Sequence, residues 1–320
     1  MSIKRQREVA LMRRVNISLC CEVLGYSRQA YYKPQAPEED PIEIRMKIKE
    51  ITLKERKGCP GKGCRAIYNN NATSIEVGRD KAERMMLEMA LGVRKPSKYV
   101  RTTEAGMRLF DNLLVEKEVT GLNQVWQSDM TYYQIGSRNY YLIFIVDVYS
   151  QNIVGSGAYS RAYSENFCQV LKGAIELRKR QGYRMKGLIF HSDGGKQYEA
   201  RDFRAICNGH GIIQSMCYYS WENPYAEKTN DIIKNRYLKQ WNPMNYKELS
   251  QLLINAVQDH NKNQPKKVLG GVSPMDFENG LQHKTSGQEN YTLKLKPENP
   301  RTKFSKFEFI NIRTKSDNQI

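Results

Sequence analysis

Three carboxylates in this chain are spaced so that separate elements of secondary structure would carry them. Asp129 stands in Trp126-Gln-Ser-Asp-Met-Thr131, Asp193 in Phe190-His-Ser-Asp-Gly-Gly-Lys-Gln-Tyr198, and Glu227 in Asn223-Pro-Tyr-Ala-Glu227. Taken singly, each has solvated surface as its default place. Gathered at one point they would repel one another unless cations neutralised them, and hard oxygen donors with open positions suit Mg²⁺ or Mn²⁺. Two such ions about 3.5–4 Å apart activate a nucleophile and stabilise a leaving oxygen in phosphodiester displacement. Asp129, Asp193 and Glu227 are therefore the expected metal ligands and catalytic residues. Asp231, one turn beyond Glu227, competes as the third ligand. No nucleotide-triphosphate motif accompanies them, so no nucleotide cofactor is expected.

The elements that would hold these acids follow from the residue pattern. Gln124–Tyr133 alternates and is rich in β-formers, Tyr140–Val148 is a strongly apolar strand, and Asn152–Tyr159 follows across a tight turn. Ser164–Arg180 has helical spacing, with Phe167, Val170, Leu171, Ala174 and Leu177 on one face. A strand at Gly187–His191, a helix at Tyr198–Asn208, a strand at Ile212–Tyr218 and a helix at Pro224–Leu238 complete the series. Three meandering strands followed by alternating helices and strands predict an α/β fold, a mixed sheet flanked by helices. Asp129 and Asp193 meet only if the first and fourth strands are neighbours.

The 320 residues carry a net charge of +17, which points to a polyanionic partner. The excess lies at the ends: residues 1–110 hold 23 basic and 13 acidic side chains, 111–281 hold 20 and 17, and 282–320 hold 8 and 4. The longest apolar run, Tyr140–Val146, stops at Asp147, so no membrane span or export signal is read. Seven scattered cysteines read as reduced thiols of a cytoplasmic protein. Cys59 and Cys64 bracket Pro-Gly-Lys-Gly, but lack both the second ligand pair of a zinc site and the Lys-Ser/Thr ending of a phosphate loop.

Small helical units precede the sheet. Val15–Lys33 reads as two helices about Gly25, with Ser27 as a cap. In a helix-turn-helix the second would present Arg28 and Gln29 to DNA. The run PQAPEEDP at 34–41 reads as a hinge. Helices at Ile42–Lys54, Gly63–Asn70 and Asp80–Leu91 form a second unit, with Met85, Met86 and Met89 as core filler. In the extended basic stretch that follows, Lys95, Lys98 and Arg101 are placed to track a phosphate backbone. The expected division is thus a helix-turn-helix segment at 1–36, a second helical DNA-binding unit at 37–97, a linker at 98–122, a catalytic core at 123–281 and a basic tail at 282–320. Alternation allows short strands at Tyr291–Lys296 and Lys306–Ile312.

The three acidic motifs, in this order and context, resemble the signatures of the DDE transposase and retroviral-integrase superfamily, and in particular the OrfB-type transposases of the IS-three group of insertion sequences. Gaps of 63 and 33 residues separate the acids, the second slightly shorter than the nominal spacing of about 35. The resemblance covers roughly residues 10–280. It implies a ribonuclease-H-like core, double-stranded DNA as substrate, and metal-dependent strand cleavage and transfer with two Mg²⁺ or Mn²⁺ ions. It also implies a homo-oligomer on DNA, a product of an upstream frame as partner, and a bacterial, nucleoid-associated location. Lys234, seven residues after Glu227, returns to the same helix face, where family members place a residue that contacts DNA. Asn223 and His191 are expected supports of the site, although packing is an equal account of His191. Asp147 reads as a buried structural carboxylate, and Trp126 and Trp221 as core aromatics or base-stacking surfaces. A nonspecific ribonuclease-H-like nuclease and a non-catalytic regulator from a decayed transposase are the alternative functions.

Overall fold

The computed structural model describes residues 17–32, 42–93, 109–217, 219–282 and 292–295. Lys95, Lys98, Arg101 and the strand expected at Lys306–Ile312 lie outside them. The chain divides into two compact units, one ending at Lys49 and the other beginning at Glu50.

In the first unit, α1 (Ile17–Val23) and α2 (Arg28–Tyr32) flank Gly25, whose φ is +68°. The turn closes through Tyr26 N–H to the Cys21 carbonyl at 2.8 Å, the left-handed helix ending that glycine permits. Arg28 and Gln29 are exposed. The division falls within α3 (Ile42–Gly58). Helices α4 (Cys64–Asn70) and α5 (Arg79–Glu88) follow, and Met85 and Met86 are fully buried as core filler.

A short strand, β1 (Glu118–Val119), precedes the central sheet, whose strands are β2 (Val125–Ile135), β3 (Arg138–Asp147), β4 (Ile153–Tyr159), β5 (Ile189–Ser192) and β6 (Ile213–Met216). Their order is β4-β3-β2-β5-β6, with β2/β3 and β3/β4 antiparallel and β2/β5 and β5/β6 parallel. This is the ribonuclease-H-like mixed sheet. The period of two along β3 sorts its side chains to two cores: Ile143 and Ile145 pack with α6 (Ser164–Arg180), while Leu142, Phe144 and Val146 face the opposite layer. Leu177, expected on the core face of α6, is 44% exposed. The buried stripe is centred on Phe167, Leu171, Ala174 and Arg178, and Leu177 lies at its edge.

The single helix expected over Tyr198–Asn208 is two, α7 (Lys196–Glu199) and α8 (Arg201–His210). The one expected over Pro224–Leu238 is α-helical only as α9 (Pro224–Ile232), then widens into a π turn (Ile233–Leu238) before α10 (Lys239–Trp241). Residues given no element from the sequence form α11 (Tyr246–Asn263) and α12 (Pro274–Gln282). Asn245 caps α11 by accepting Glu248 N–H at 3.0 Å while donating to the Glu248 side chain at 2.9 Å. Strand β7 (Leu293–Lys294), within the stretch read as a tail, pairs antiparallel with β1, and Leu293 and Leu295 join a core cluster with Val125 and Ile189.

Candidate active site

Parallel pairing of β2 with β5 sets Val125 beside Ile189 and Ser128 beside Ser192. Asp129 is the next residue of β2 and Asp193 the first residue past the end of β5, so the neighbour relation the acids require is met. Of the Gly pair after Asp193 only the second is sterically tight: a Cβ at Gly195 would stand 3.0 Å from Gln197 Oε1 and 3.2 Å from Asp193 Oδ1.

Glu227 is delivered by a third element fastened to β2. Asn223 Nδ2 donates to the Ser128 carbonyl at 2.8 Å, and Tyr225 N–H donates to Gln127 Oε1 at 2.9 Å. Pro224 opens α9, where its missing N–H costs nothing. One turn beyond Glu227, Asn230 Nδ2 donates to Asp129 Oδ2 at 2.7 Å, and Asp129 Oδ1 accepts Met130 N–H at 2.9 Å. Three consecutive residues of β2 thus hold both ends of α9.

The carboxylates repel. Burial, then the charges of Asp193 and Glu227, push Asp129 up to about 8, against the opposing pull of its bonds from Met130 and Asn230. Surrounding protein and then Asp193 raise Glu227 to about 7, although the residue as a whole is exposed. Burial raises Asp193, partly offset by the Gly195 N–H. Oxygen-only donors carrying uncompensated negative charge fit hard divalent cations. They do not form a closed cage: among the described residues, no group of three or more His, Cys, Asp or Glu side chains is arranged to hold an ion.

Lys234 lies at the start of the π turn and reaches the same strand. Its Nζ donates to Thr131 Oγ1 at 3.1 Å and to the Tyr132 carbonyl at 3.3 Å, and stands 5.1 Å from the Tyr132 ring centroid. Asp129 and Thr131 share one face of β2, so this ammonium borders the acids. Asp231 is exposed and bonds Asn235, and it does not contribute to the shifts of Asp129 or Glu227. His191 is buried, with Nδ1 2.9 Å from Ser215 Oγ, and burial lowers it to about 4. Asp147 is the structural carboxylate expected, accepting N–H bonds from Asn123 at 2.6 Å, Tyr149 at 2.9 Å and Ser150 at 3.2 Å. Trp126 is a core residue bonded to Asn123, whereas Trp221 stacks on Tyr219 with centroids 4.1 Å apart.

Sequence reasoning missed Asn230, Gln127 and Tyr198, whose OH lies 2.9 Å from Ser128 Oγ behind Asp129. The signal for Asn230 was its place three residues after Glu227, one helical turn on.

Comparison with known proteins matches the Integrase core domain family to residues 120–219. The "Insertion element IS600 uncharacterized 31 kDa protein" of Shigella sonnei is 30% identical over 273 residues, which cover 80% of this chain and 96% of that protein. The chain belongs to the DDE transposase and retroviral-integrase superfamily. Further members similar to it are "Transposase InsF for insertion sequence IS3A" of Escherichia coli K12, 27% identical over 54% of this chain and 60% of that protein. The "Putative transposase for insertion sequence element IS986/IS6110" of Mycobacterium tuberculosis is 27% identical over 68% of this chain and 81% of that protein. A solved HTLV-2 integrase catalytic core in complex with magnesium matches with a TM-score of 0.40 and 22% identity, covering 52% of this chain and 98% of that one. As a member of this superfamily the chain is a transposase, a DDE-type polynucleotidyl transferase acting on DNA.

Proposed function

We propose that this transposase cleaves and joins DNA at the ends of an insertion sequence, with Asp129, Asp193 and Glu227 holding two Mg²⁺ or Mn²⁺ ions. The observation that supports it is the convergence of three carboxylates, carried by β2, by the end of the adjacent parallel strand β5 and by α9 fastened to β2. Asp129, which feels the charge of both other acids, would hold the ions together with Asp193 and Glu227. Bound there, the ions would supply charge neutralisation and an activated oxygen nucleophile. The chain's own part is positional. Asn230 and Met130 N–H orient the Asp129 carboxyl, Gln127 and Asn223 set the height of Glu227, and Lys234 offers a cation to a phosphate beside Asp129. Attack by water frees a 3′-hydroxyl at the element end, and that hydroxyl then attacks a second phosphodiester in line.

The divisions of the chain are assigned in the same reading: 1–36 as a helix-turn-helix segment that presents Arg28 and Gln29 to DNA, 37–97 as a second helical DNA-binding unit, 98–122 as a linker, 123–281 as the catalytic core and 282–320 as a basic tail, with Lys95, Lys98 and Arg101 along the DNA backbone. The enzyme is proposed to work as an oligomer in the bacterial cytoplasm, on the nucleoid, with an upstream-frame product as an additional partner. Among the described residues no helix is long and apolar enough to cross a membrane. The test is Asp193→Asn, assayed on duplexes carrying the element end. Mg²⁺-dependent cleavage and joining should vanish while DNA binding persists, and undiminished joining overturns the assignment.

A further inference from the structure

Three cations near the Glu227 helix have no acidic partner. Lys228 follows Glu227 on α9, Arg236 lies in the π turn, and Lys266 sits after α11, its N–H bonded to the Val272 carbonyl at 2.9 Å. Among the described residues none of the three side chains forms an ion pair or hydrogen bond. Two buried cations of this unit are by contrast compensated: Lys62 pairs with Glu55, and Arg178 with Glu278 at 2.6 Å. Asp259, the acid beside Cys59 and near Arg236, is taken by the Tyr237 hydroxyl at 2.8 Å, Gln264 at 2.7 Å and Asn263 at 3.0 Å.

The π turn aligns the first two. At 3.6 residues per turn, an eight-residue step would leave Arg236 about 80° round the helix from Lys228. A π turn accommodates one extra residue, so the same step closes as seven would, within about 20°. Lys266 approaches from another element. Burial, then the charges of Lys228 and Arg236, lower its amine to about 7, and the same three cations add to the burial that keeps His260 neutral. Like charges gathered without counterions weaken the isolated fold, and a polyanion offsets that cost.

We infer that Lys228, Arg236 and Lys266 form a phosphodiester-backbone site along the π turn, which grips a DNA strand where it leaves the catalytic centre. This rests on the proposed function and adds a surface separate from Lys234. Lys228 adjoins Glu227, so the test uses the other two: Arg236→Gln with Lys266→Gln in the full chain. Binding to an element-end duplex and to an unrelated duplex is followed by fluorescence anisotropy across a salt series. Every phosphate that the protein ceases to neutralise should flatten the slope of log affinity against log salt by about 0.9, so the double variant should drop by about 2. A flatter slope on the end duplex alone assigns the site to element-end DNA, and a flatter slope on both assigns it to duplex backbone of either source. Lys172→Gln on α6 should leave the slope unchanged, and Arg236→Lys with Lys266→Arg should restore it, which separates charge from misfolding. A double-variant slope equal to wild type overturns the inference. Failure of the wild-type chain to bind DNA in a salt-dependent way overturns the proposed function instead.

Discussion

Removing one carboxylate from the triad should stabilise the metal-free protein while abolishing its chemistry. Asp129 and Glu227 carry folded-state pKa values of about 8 and about 7, against ordinary values near 4. Between about pH 4 and 8 the folded chain therefore binds more protons than the unfolded one, and stability falls as pH rises through that window. Unit charges interact by about 4 kcal/mol at 4 Å and an effective dielectric of 20, and by half that at twice the distance. Glu227 is exposed, so solvent screening reduces its share. A gain of roughly 1–3 kcal/mol for Asp193→Asn is expected at pH 8 in EDTA, a rise of about 2–8 °C in Tm. The gain should shrink by pH 5, where Asp129 and Glu227 are mostly protonated in both proteins. Excess Mg²⁺ should reverse the order, because an ion that binds only the folded wild type stabilises it by mass action. Thermal melts at pH 5 and pH 8, each with EDTA or Mg²⁺, decide the matter. An Asp193→Asn protein no more stable than wild type at pH 8 in EDTA, or a gain independent of pH, refutes the repulsion argument.

Gly61→Ala should destabilise the fold by about 1–3 kcal/mol in chemical denaturation, because a Cβ there would lie 2.6 Å from Arg236 Cα and 2.8 Å from its carbonyl oxygen. Asp231→Asn should retain joining activity while Glu227→Gln loses roughly a hundredfold or more in the same assay, since only Glu227 couples to the other acids. Asn230→Ala should lower the rate at neutral pH and shift the pH–rate profile upward, as Asp129 loses a bond that favours its charged form. The imidazole of His191, held near pKa 4 by burial, should show no titration by NMR between pH 5 and 8.

What was legible in the sequence depended on whether a feature has a period or a motif. The apolar run of β3, the helix Ser164–Arg180 and the three acids were readable because burial on both faces, helical spacing and local signatures leave marks in residue order. Helix α11 carries such marks too, with Asn245 three residues before Glu248 and apolar residues at 249, 253 and 256. The π turn was not readable, because Ile233–Leu238 is ordinary helix-forming sequence and its extra residue is fixed by packing. Gly61 N–H donates to the Arg236 carbonyl at 2.8 Å, and Tyr133 OH to that of Leu238 at 3.1 Å, so partners distant in sequence satisfy carbonyls of the widened turn.

The short interval between Asp193 and Glu227 shows why spacing is the weaker guide to this site. Those 33 residues contain α7, α8 and β6, with Gly211 at φ +65° ending α8 in one tight turn. Nothing in that excursion sets the position of Glu227. It is set where the chain returns, by Gln127 and the Ser128 carbonyl gripping the start of α9 and by Asp129 bonding Asn230 one turn on. Residues can be lost from the intervening loops without moving the acid, provided the chain still reaches β2 and the side chains at 127, 223 and 230 still make their bonds. Loss of Gln127 or Asn223 should therefore disturb the site more than a one-residue change of length beside Gly209.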